Sequence, residues 1–343
     1  MTATLDPPTS SPMKVLVTGG AGYVASVVID QLVRAGHEIV VVDSLASGQF
    51  SSVPPGLEFH RADVAEIADV LTPSAGFDAV LHFAGLIAAG ESVQEPERYW
   101  LHNVAASIAL LTAIRHAGVP RLVFSSSAAV YGDPMESPIT EAAAANPTSP
   151  YGWTKLAIDV AMRHASAASG LGAVSLRYFN VAGAARRADG SWLGERHDPE
   201  THLIPLALDV ALGRRASISL YGDDYGTPDG TCIRDYIHVE DLARAHLLAL
   251  AHAKSGEHLI FNLGNGNGYS NREVIDTIRT VTGHAIPVVQ SPRRPGDPAV
   301  LVASATKAAA ELGWRPLKPD LRAIIRDAWD FARDRYSSPT LTR

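Results

Sequence analysis

Short apolar runs rich in β-branched residues recur through the first half of the chain, at Val15-Leu16-Val17, Ile39 to Val42, Ala79 to Phe83, Leu122 to Phe124 and Val174 to Leu176. The segments between them carry apolar residues at helical spacing. Val24 to Ala35 and Val104 to His116 are two of these, and Gly36 and Gly118 follow them as helix stops. Strands that read as continuous apolar runs are buried on both faces, and strands alternating with helices pair in parallel. The pattern predicts an α/β fold built on a doubly wound parallel sheet. Beyond about residue 180 the texture turns rich in Gly, Asp and Pro, with helices predicted around Leu203 to Leu212 and Val239 to Ala251. This divides the chain into a flexible tail over 1–12, a first domain over 13–180 and a smaller C-terminal α/β domain over 181–343, partly interleaved with the first. Pro292 to Pro298 reads as a loop, and no fixed-period repeat is present.

Composition narrows the class without choosing a function. Hydrophobic residues make up 46% and charged residues 19% of 343 positions, an ordinary globular balance. A net charge of -7 argues against binding the nucleic-acid backbone. Cys232 stands alone, so no intrachain disulfide can form, and it is expected as a buried or neutral thiol. The segment MTATLDPPTSSP has neither the basic start nor the apolar run of a secretory signal, and no stretch is long and apolar enough for a membrane. A cytoplasmic protein with no membrane partner is expected, and Met13 offers an alternative start.

Chemistry first enters after the strand Lys14 to Val17. There TGGAGYVA places Gly19, Gly22 and Ala25 at the spacing G-x-x-G-x-x-A and opens into a helix. Glycine lets the backbone approach a pyrophosphate, which the free N–H groups and dipole of the helix start then stabilise. Ala25 in the third position governs helix–strand packing rather than phosphate contact. Asp43 ends the second strand, where a dinucleotide fold places the acid that accepts from the adenosine ribose. A carboxylate there repels a 2′-phosphate, which favours NAD over NADP. Asp63 and the turn Phe83-Ala84-Gly85 stand where such folds line the adenine and the nicotinamide. Singly, each is as readily a helix cap or strand-end turn; their order along the chain points to a Rossmann domain over 13–180 that binds NAD.

Tyr151 and Lys155 stand four residues apart at the start of YGWTKLAIDVAMRHA, which puts both on one helix face. A phenol with a pKa near 10 is a poor base at neutral pH, and an adjacent ammonium together with a nicotinium ring lowers it. Tyr151 then acts as general base. The strand Leu122 to Phe124 runs into Ser125-Ser126-Ser127 at the sheet's C-terminal edge, and Ser127 is placed to bond the reacting hydroxyl.

With these residues in view the chain resembles the UDP-glucose 4-epimerases (UDP-galactose 4-epimerases), extended short-chain dehydrogenase/reductases, over Met13 to Trp314. TGGAGYVA, HFAGLIAAGESV, FSSSAAVYGD, SPYGWTKL, LRYFNVAGA, HLIP, YGDDYGTPDGTCIRDYIHVEDLA, FNLGNGNG and RRPGDP carry the resemblance. It implies a catalytic set of Ser127, Tyr151 and Lys155. It implies NAD contacts at Gly19 to Gly22, Tyr23, Val24, Asp43, Ser44, Asp63, Val64, Phe83, Ala84, Gly85, Asn103, Ser125, Tyr151, Lys155 and Tyr178. The UDP-sugar falls to Ser127, Tyr151, Phe179, Asn180, His202, Leu203, Ser219, Tyr221, Arg234, Arg294 and Asp297. Arg234 and Arg294 also make sense physically, since a diphosphate suits forked, permanently charged donors. The expected reaction inverts C4 of a UDP-hexose, glucose or galactose, through a 4-keto sugar, and the expected assembly is a homodimer.

Departures from the family bear on the sugar. Ile87 stands where many members have lysine, His202 replaces an asparagine, and Val300 occupies the position that walls the hexose C2 side, leaving room for an N-acetyl group. Arg186-Arg187 reads first as a solvated loop pair. The sharper reading has one guanidinium facing C6, Arg186 joining the substrate set, which makes UDP-glucuronate an alternative substrate. A 4,6-dehydratase would need an acid pair beside Ser127, where Ala128-Ala129 stand, and a non-catalytic NAD sensor would have lost Tyr151 or Lys155. The 13 histidines contain no His-x-x-x-His pair with Glu, and His197, Asp198 and His202 read as loop and ligand-contact residues, so no metal is expected.

Overall fold

Runs that are apolar without alternation become strands covered on both faces. The computed structural model describes residues 11–294 and 296–337. Its strands are β1 (Lys14–Thr18), β2 (Glu38–Val42), β3 (Glu58–His60), β4 (Ala79–His82), β5 (Arg121–Ser125), β6 (Gly172–Tyr178), β7 (Asn180–Ala182), β8 (Ala184–Arg186), β9 (Trp192–Gly194), β10 (Ile218–Tyr221), β11 (Ile233–His238), β12 (His258–Leu263), β13 (Gly268–Ser270), β14 (Val288–Ser291) and β15 (Val300–Leu301). Seven of them form one sheet in the order β12-β6-β5-β4-β1-β2-β3, every neighbouring pair parallel. The helices are α1 (Tyr23–Arg34), α2 (Ala89–Gln94), α3 (Pro96–Tyr99), α4 (Ala106–Ala117), α5 (Pro150–Ser169), α6 (Leu203–Ala211), α7 (Val239–His252), α8 (Asn271–Thr282), α9 (Thr306–Glu311) and α10 (Leu321–Ser337).

Alternate residues of each central strand feed opposite faces. Val15 and Val17 join Leu32, Leu242, Leu247 and Trp314 under α1 and α7, whereas Leu16 and Val40 join Leu110, Ile114, Ile158 and Met162 under α4 and α5. The chain winds outward from β1 in one direction and from β4 in the other. A crevice therefore opens where β1 and β4 end side by side, with Thr18 registered on His82.

The helix predicted at Val104 to His116 is preceded by a wide π turn over Trp100–Ala105, and Gly118 closes it in the left-handed conformation at φ +70°. Beyond residue 180 the chain does not keep to itself. Helix α7, expected with the second domain, packs its Leu242, Ala245 and Ala249 onto the first sheet, and β12 is that sheet's seventh strand, with Phe261 registered on Leu176. The remaining strands β7, β11, β13 and β15 form a mixed sheet, β10 pairs with β14, and α6, α8 and α10 close a separate core around Ile204, Leu208, Ile278 and Ile324.

Candidate active site

At the end of β1 the backbone turns through Gly19 at φ +72°, and a Cβ there would stand 2.5 Å from the Ala84 nitrogen. The β1 and β4 turns thus touch at a point no side chain can occupy. Gly20 is pressed equally close to Val41, and Gly22 caps α1 with no side chain to satisfy the first-turn amides. Those N–H groups form an anion seat at the head of the crevice. Buried Asp43 braces the seat: one carboxylate oxygen accepts from the Ala21 N–H at 2.9 Å and the other from the Leu45 N–H at 2.7 Å. Each oxygen keeps a lone pair for a ribose hydroxyl.

Of the other residues expected at the cofactor, Asp63 caps a short turn through the Ala65 N–H at 2.8 Å with Val64 buried behind it, and Ser44 is exposed beside Asp43. Tyr23 donates its phenol to the Gly183 carbonyl at 2.6 Å, tying the start of α1, with Val24 beside it, to the segment after β7. Phe83 and Tyr178 both face His246, at ring separations of 4.8 and 6.4 Å. Asn103 spends both amide hydrogens, on the Leu86 carbonyl at 3.0 Å and the Thr154 hydroxyl at 3.1 Å, while its oxygen accepts from the Leu86 N–H at 2.7 Å. It acts on the crevice by holding the Gly85-Leu86 turn.

Strand β5 delivers Ser125, Ser126 and Ser127 to the same edge. Ser149 caps α5, and one helical turn sets Tyr151 above Lys155. The Lys155 ammonium donates to the Ser125 carbonyl at 2.9 Å, lies 4.8 Å over the Phe124 ring and 5.8 Å over the Tyr151 ring. Burial lowers its pKa to about 8 against an upward pull from Asp159. Burial also raises the Tyr151 phenol above its ordinary value, while a hydrogen bond with Ser127 works the other way, favouring the phenolate. Tyr178, raised by burial and by Tyr151, meets the Ser125 hydroxyl.

This geometry has a pH consequence. The Lys155 ammonium stands over the Tyr151 ring, and loss of its charge is expected to lower kcat/KM above pH about 8. A Lys155→Arg enzyme, whose charge does not titrate, should show residual activity without that decline; a wild-type profile level to pH 10 would contradict the assignment. For stability the sign runs upward. Between pH 8 and 10.5 the unfolded chain holds a proton here that the folded chain has lost, so this group's contribution rises with pH.

Beneath the serines lies a buried network that no sequence spacing announced. Arg177 donates from Nε and Nη2 to one Asp159 oxygen at 3.0 and 2.9 Å, and the Ser126 hydroxyl reaches the same oxygen at 3.3 Å. Arg177 also donates to the Tyr131 hydroxyl at 3.1 Å, which donates to Asn262 of β12 at 2.6 Å. The network locks the floor of the site to the late strand.

In the second sheet, Arg234 of β11 meets Asp297 at 2.5 Å, the Asp297 N–H reaches the Arg294 carbonyl at 3.3 Å, and the Arg294 guanidinium lies 4.0 Å over the Tyr221 ring. The expected arginines, tyrosine and aspartate therefore share one wall, with Ser219 exposed on the same strand as Tyr221. Phe179 is buried, Asn180 registers on Tyr236, and Leu203 opens α6 behind the capping His202. Burial works to lower His202, but contact with Glu195 at 2.5 Å overrides it and raises the imidazole to about 9. Cys232 is buried and burial pushes its thiol up, so it stays neutral.

Arg186 and Arg187 both have partners within the chain. The Arg186 guanidinium stacks 4.3 Å over Trp192, and Arg34, the last residue of α1, donates to the Arg186 carbonyl at 2.8 Å. A helix of 12 residues separates that point from the anion seat by about 18 Å. Arg187 donates to the Ser52 carbonyl at 2.5 Å. Arg186 thus packs within its own hairpin, and Arg187 fastens that hairpin to the backbone at Ser52.

A phenol held between a serine hydroxyl and a buried lysine, on the same sheet edge as a glycine-lined anion seat, is the equipment of an extended short-chain dehydrogenase/reductase. Residues 15–264 match the NAD dependent epimerase/dehydratase family, and the chain belongs to that family. A UDP-glucose 4-epimerase of Streptomyces lividans is 57% identical over 323 residues, 93% of this chain and 95% of the relative. Among solved structures, the UDP-glucose 4-epimerase from Brucella ovis in complex with NAD is 45% identical, with 93% of this chain and 98% of that one covered at a TM-score of 0.87. The UDP-glucose 4-epimerase from Bifidobacterium longum in complex with NAD+ and UDP is 37% identical, with 94% and 98% covered at a TM-score of 0.87.

Proposed function

We propose that this chain is an NAD-dependent UDP-hexose 4-epimerase that interconverts UDP-glucose and UDP-galactose through a 4-keto sugar. The observation that carries the reading is the gathering of Ser127, Tyr151 and Lys155 where β5 and the start of α5 meet; Arg234 and Arg294 supply the forked cations that a diphosphate suits. The likeness to the Streptomyces lividans relative over nearly the full chain supports the same substrate.

The residues present fit NAD. Gly19 lets the β1 turn close onto the β4 turn, the first amides of α1 suit a pyrophosphate, and Asp43 suits ribose hydroxyls. When bound, NAD supplies a reversible acceptor for the hydride of C4. The chain's own groups do the rest. Tyr151 takes the proton from the sugar O4 and later returns it, Ser127 bonds the same oxygen, and Lys155 supplies the charge that lets the phenolate form. Arg234, Arg294 and Tyr221 hold the UDP while the hexose turns its other face. With Ala128 and Ala129 beside Ser127, no acid–base pair is present for elimination across C5 and C6.

The assembly we propose is a cytoplasmic homodimer. No helix among the described residues is long and apolar enough to cross a membrane. The adjoining outer faces of α4 and α5 and the turn before α4 expose Leu101 at 66%, Ile108 at 45%, Trp153 at 45% and Val160 at 39%, an apolar surface that a second copy would cover. Light scattering should return twice the chain mass of 36.3 kDa; a monomer would refute it.

Incubation with UDP-glucose and with UDP-glucuronate, followed by chromatographic separation of epimers, tests the substrate. UDP-galactose is expected from the first, and no epimer from the second, because Arg186 and Arg187 are engaged elsewhere. Turnover of the glucuronate alone would overturn the reading. Val300 lies half-buried in β15 beside Ile233, and the same assay with UDP-N-acetylglucosamine reads whether it admits an acetamido group.

A further inference from the structure

The segment between β9 and α6 folds four ligating side chains onto one point. Glu195, His197, Glu200 and His202 stand at spacings of two, three and two residues, and one donor atom of each lies within 4.8 Å of all the others. The Glu195 Oε1 atom is 2.9 Å from His197 Nδ1 and 2.5 Å from His202 Nδ1, and Glu200 oxygens lie 4.0 and 3.5 Å from the same two nitrogens. The side chains of Glu195 and Glu200 are only 8% and 14% exposed. Among the described residues neither carboxylate pairs with a lysine or arginine. His197 Nδ1 is enclosed and forms no aligned hydrogen bond, even with Glu195 beside it.

The contrast with a second such group is informative. His238, Glu240 and Asp327 also gather within ligating distance, but there the Lys318 ammonium already sits 2.6 Å from Glu240 and 2.8 Å from Asp327. That group holds its cation within the chain. The first group has two carboxylates and two imidazoles, with no lysine or arginine among its ion pairs in the described residues. With both imidazoles neutral its net charge is that of two carboxylates, which one divalent ion balances.

We propose that Glu195, His197, Glu200 and His202 bind one divalent transition-metal ion of the zinc class. Two imidazole nitrogens and two carboxylate oxygens are the borderline donor set such an ion selects, and four protein ligands make a closed, structural site rather than a catalytic one. Tetrahedral bonds of about 2.0–2.2 Å hold donors about 3.4 Å apart, so Glu195 Oε1 and His202 Nδ1 must part from 2.5 Å and the Glu200 oxygen must draw in, both by side-chain rotation. All four ligands come from one short segment, so little chain has to be ordered to complete the site. Its two ends are already anchored: Gly194 packs against Phe331 of α10, where a Cβ would stand 2.4 Å from the ring, and the His202 carbonyl accepts from the Leu206 N–H at the start of α6. The ion would fasten the entry to α6, and with it Leu203, to the end of β9. A groove lined by Gly183, Ile204, Leu208, Phe331 and Arg335 opens beside the group and gives the ion access.

The test uses the untagged full chain, stripped with chelator and titrated with Zn2+ by calorimetry and with Co2+ by visible absorption. One equivalent of each ion is expected, with the intense visible bands of tetrahedral cobalt and a melting midpoint raised by zinc. His197→Ala should weaken binding by more than about 100-fold, since a lost ligand exceeds the 10–100-fold cost of a lost outer partner. Should that variant fail to fold, Glu200→Gln gives the same reading, since it keeps the side-chain volume and removes the charge. The proposal is overturned if the wild-type chain shows no saturable uptake of either ion, or if uptake persists undiminished in the substituted chains. Either failure leaves the epimerase reading untouched, because none of the proposed chemistry runs through the ion.

Discussion

Replacing Tyr151 with phenylalanine is expected to lower kcat by about 10²–10⁴-fold, the range of a positioned acid–base group, while KM and the melting temperature change little. The phenyl ring keeps its edge-on contact with Tyr99, at a centroid separation of 6.5 Å, so the fold loses only a hydroxyl. What disappears is the one group that touches both Ser127 and the field of Lys155. Ser127 cannot substitute, because an aliphatic hydroxyl releases its proton far less readily than a phenol beside an ammonium. Substrate binding survives, since the proposed UDP contacts at Arg234, Arg294 and Tyr221 are left in place. Undiminished turnover by Tyr151→Phe would remove the tyrosine from the chemistry.

The second large effect falls on stability. Asp159→Ala should destabilise the chain by about 3–5 kcal/mol, because it strands the Arg177 guanidinium where both partners are at most 5% exposed. Equilibrium urea unfolding reads this directly. Replacing both partners by apolar residues of similar size should recover most of the loss, which separates the cost of an orphaned charge from the net worth of the pair. The alanine variant should also shift the alkaline decline in kcat/KM to lower pH, since Asp159 is the group that pulls Lys155 upward. A loss below 1 kcal/mol together with an unmoved pH profile would show that Asp159 supports neither.

Both predictions turn on residues that differed in how readable they were. Tyr151, Lys155 and Ser127 were legible because local spacing controls them: four residues on a helix, and a serine run where an apolar strand stops. The glycine cradle was legible for the same reason, as was Asp43 at the end of β2. Asp159 and Arg177 were not, since their pairing joins α5 to β6 through tertiary packing that leaves no periodic trace. Strand β12 escaped because its register on β6 spans more than eighty residues, and its first three positions are only half-buried. Helix α7 was found but set in the wrong neighbourhood, because an apolar stripe shows that a helix packs without showing against what. For Arg186-Arg187 the sequence shows two adjacent charges after the YFNVAGA segment but not the hairpin that turns them onto Trp192 and Ser52. The grouping of Glu195 and Glu200 with His197 and His202 leaves no helical spacing in the sequence, because all four stand in a loop.

The central claim is inversion at C4 by removal and return of the same hydrogen. Incubating the protein with UDP-glucose deuterated at C4, with no added NAD, tests it most directly. The account predicts UDP-galactose that retains deuterium at C4 and gains no hydrogen from water. UDP-galactose with its C4 label lost to solvent, or no UDP-galactose at all, would contradict it.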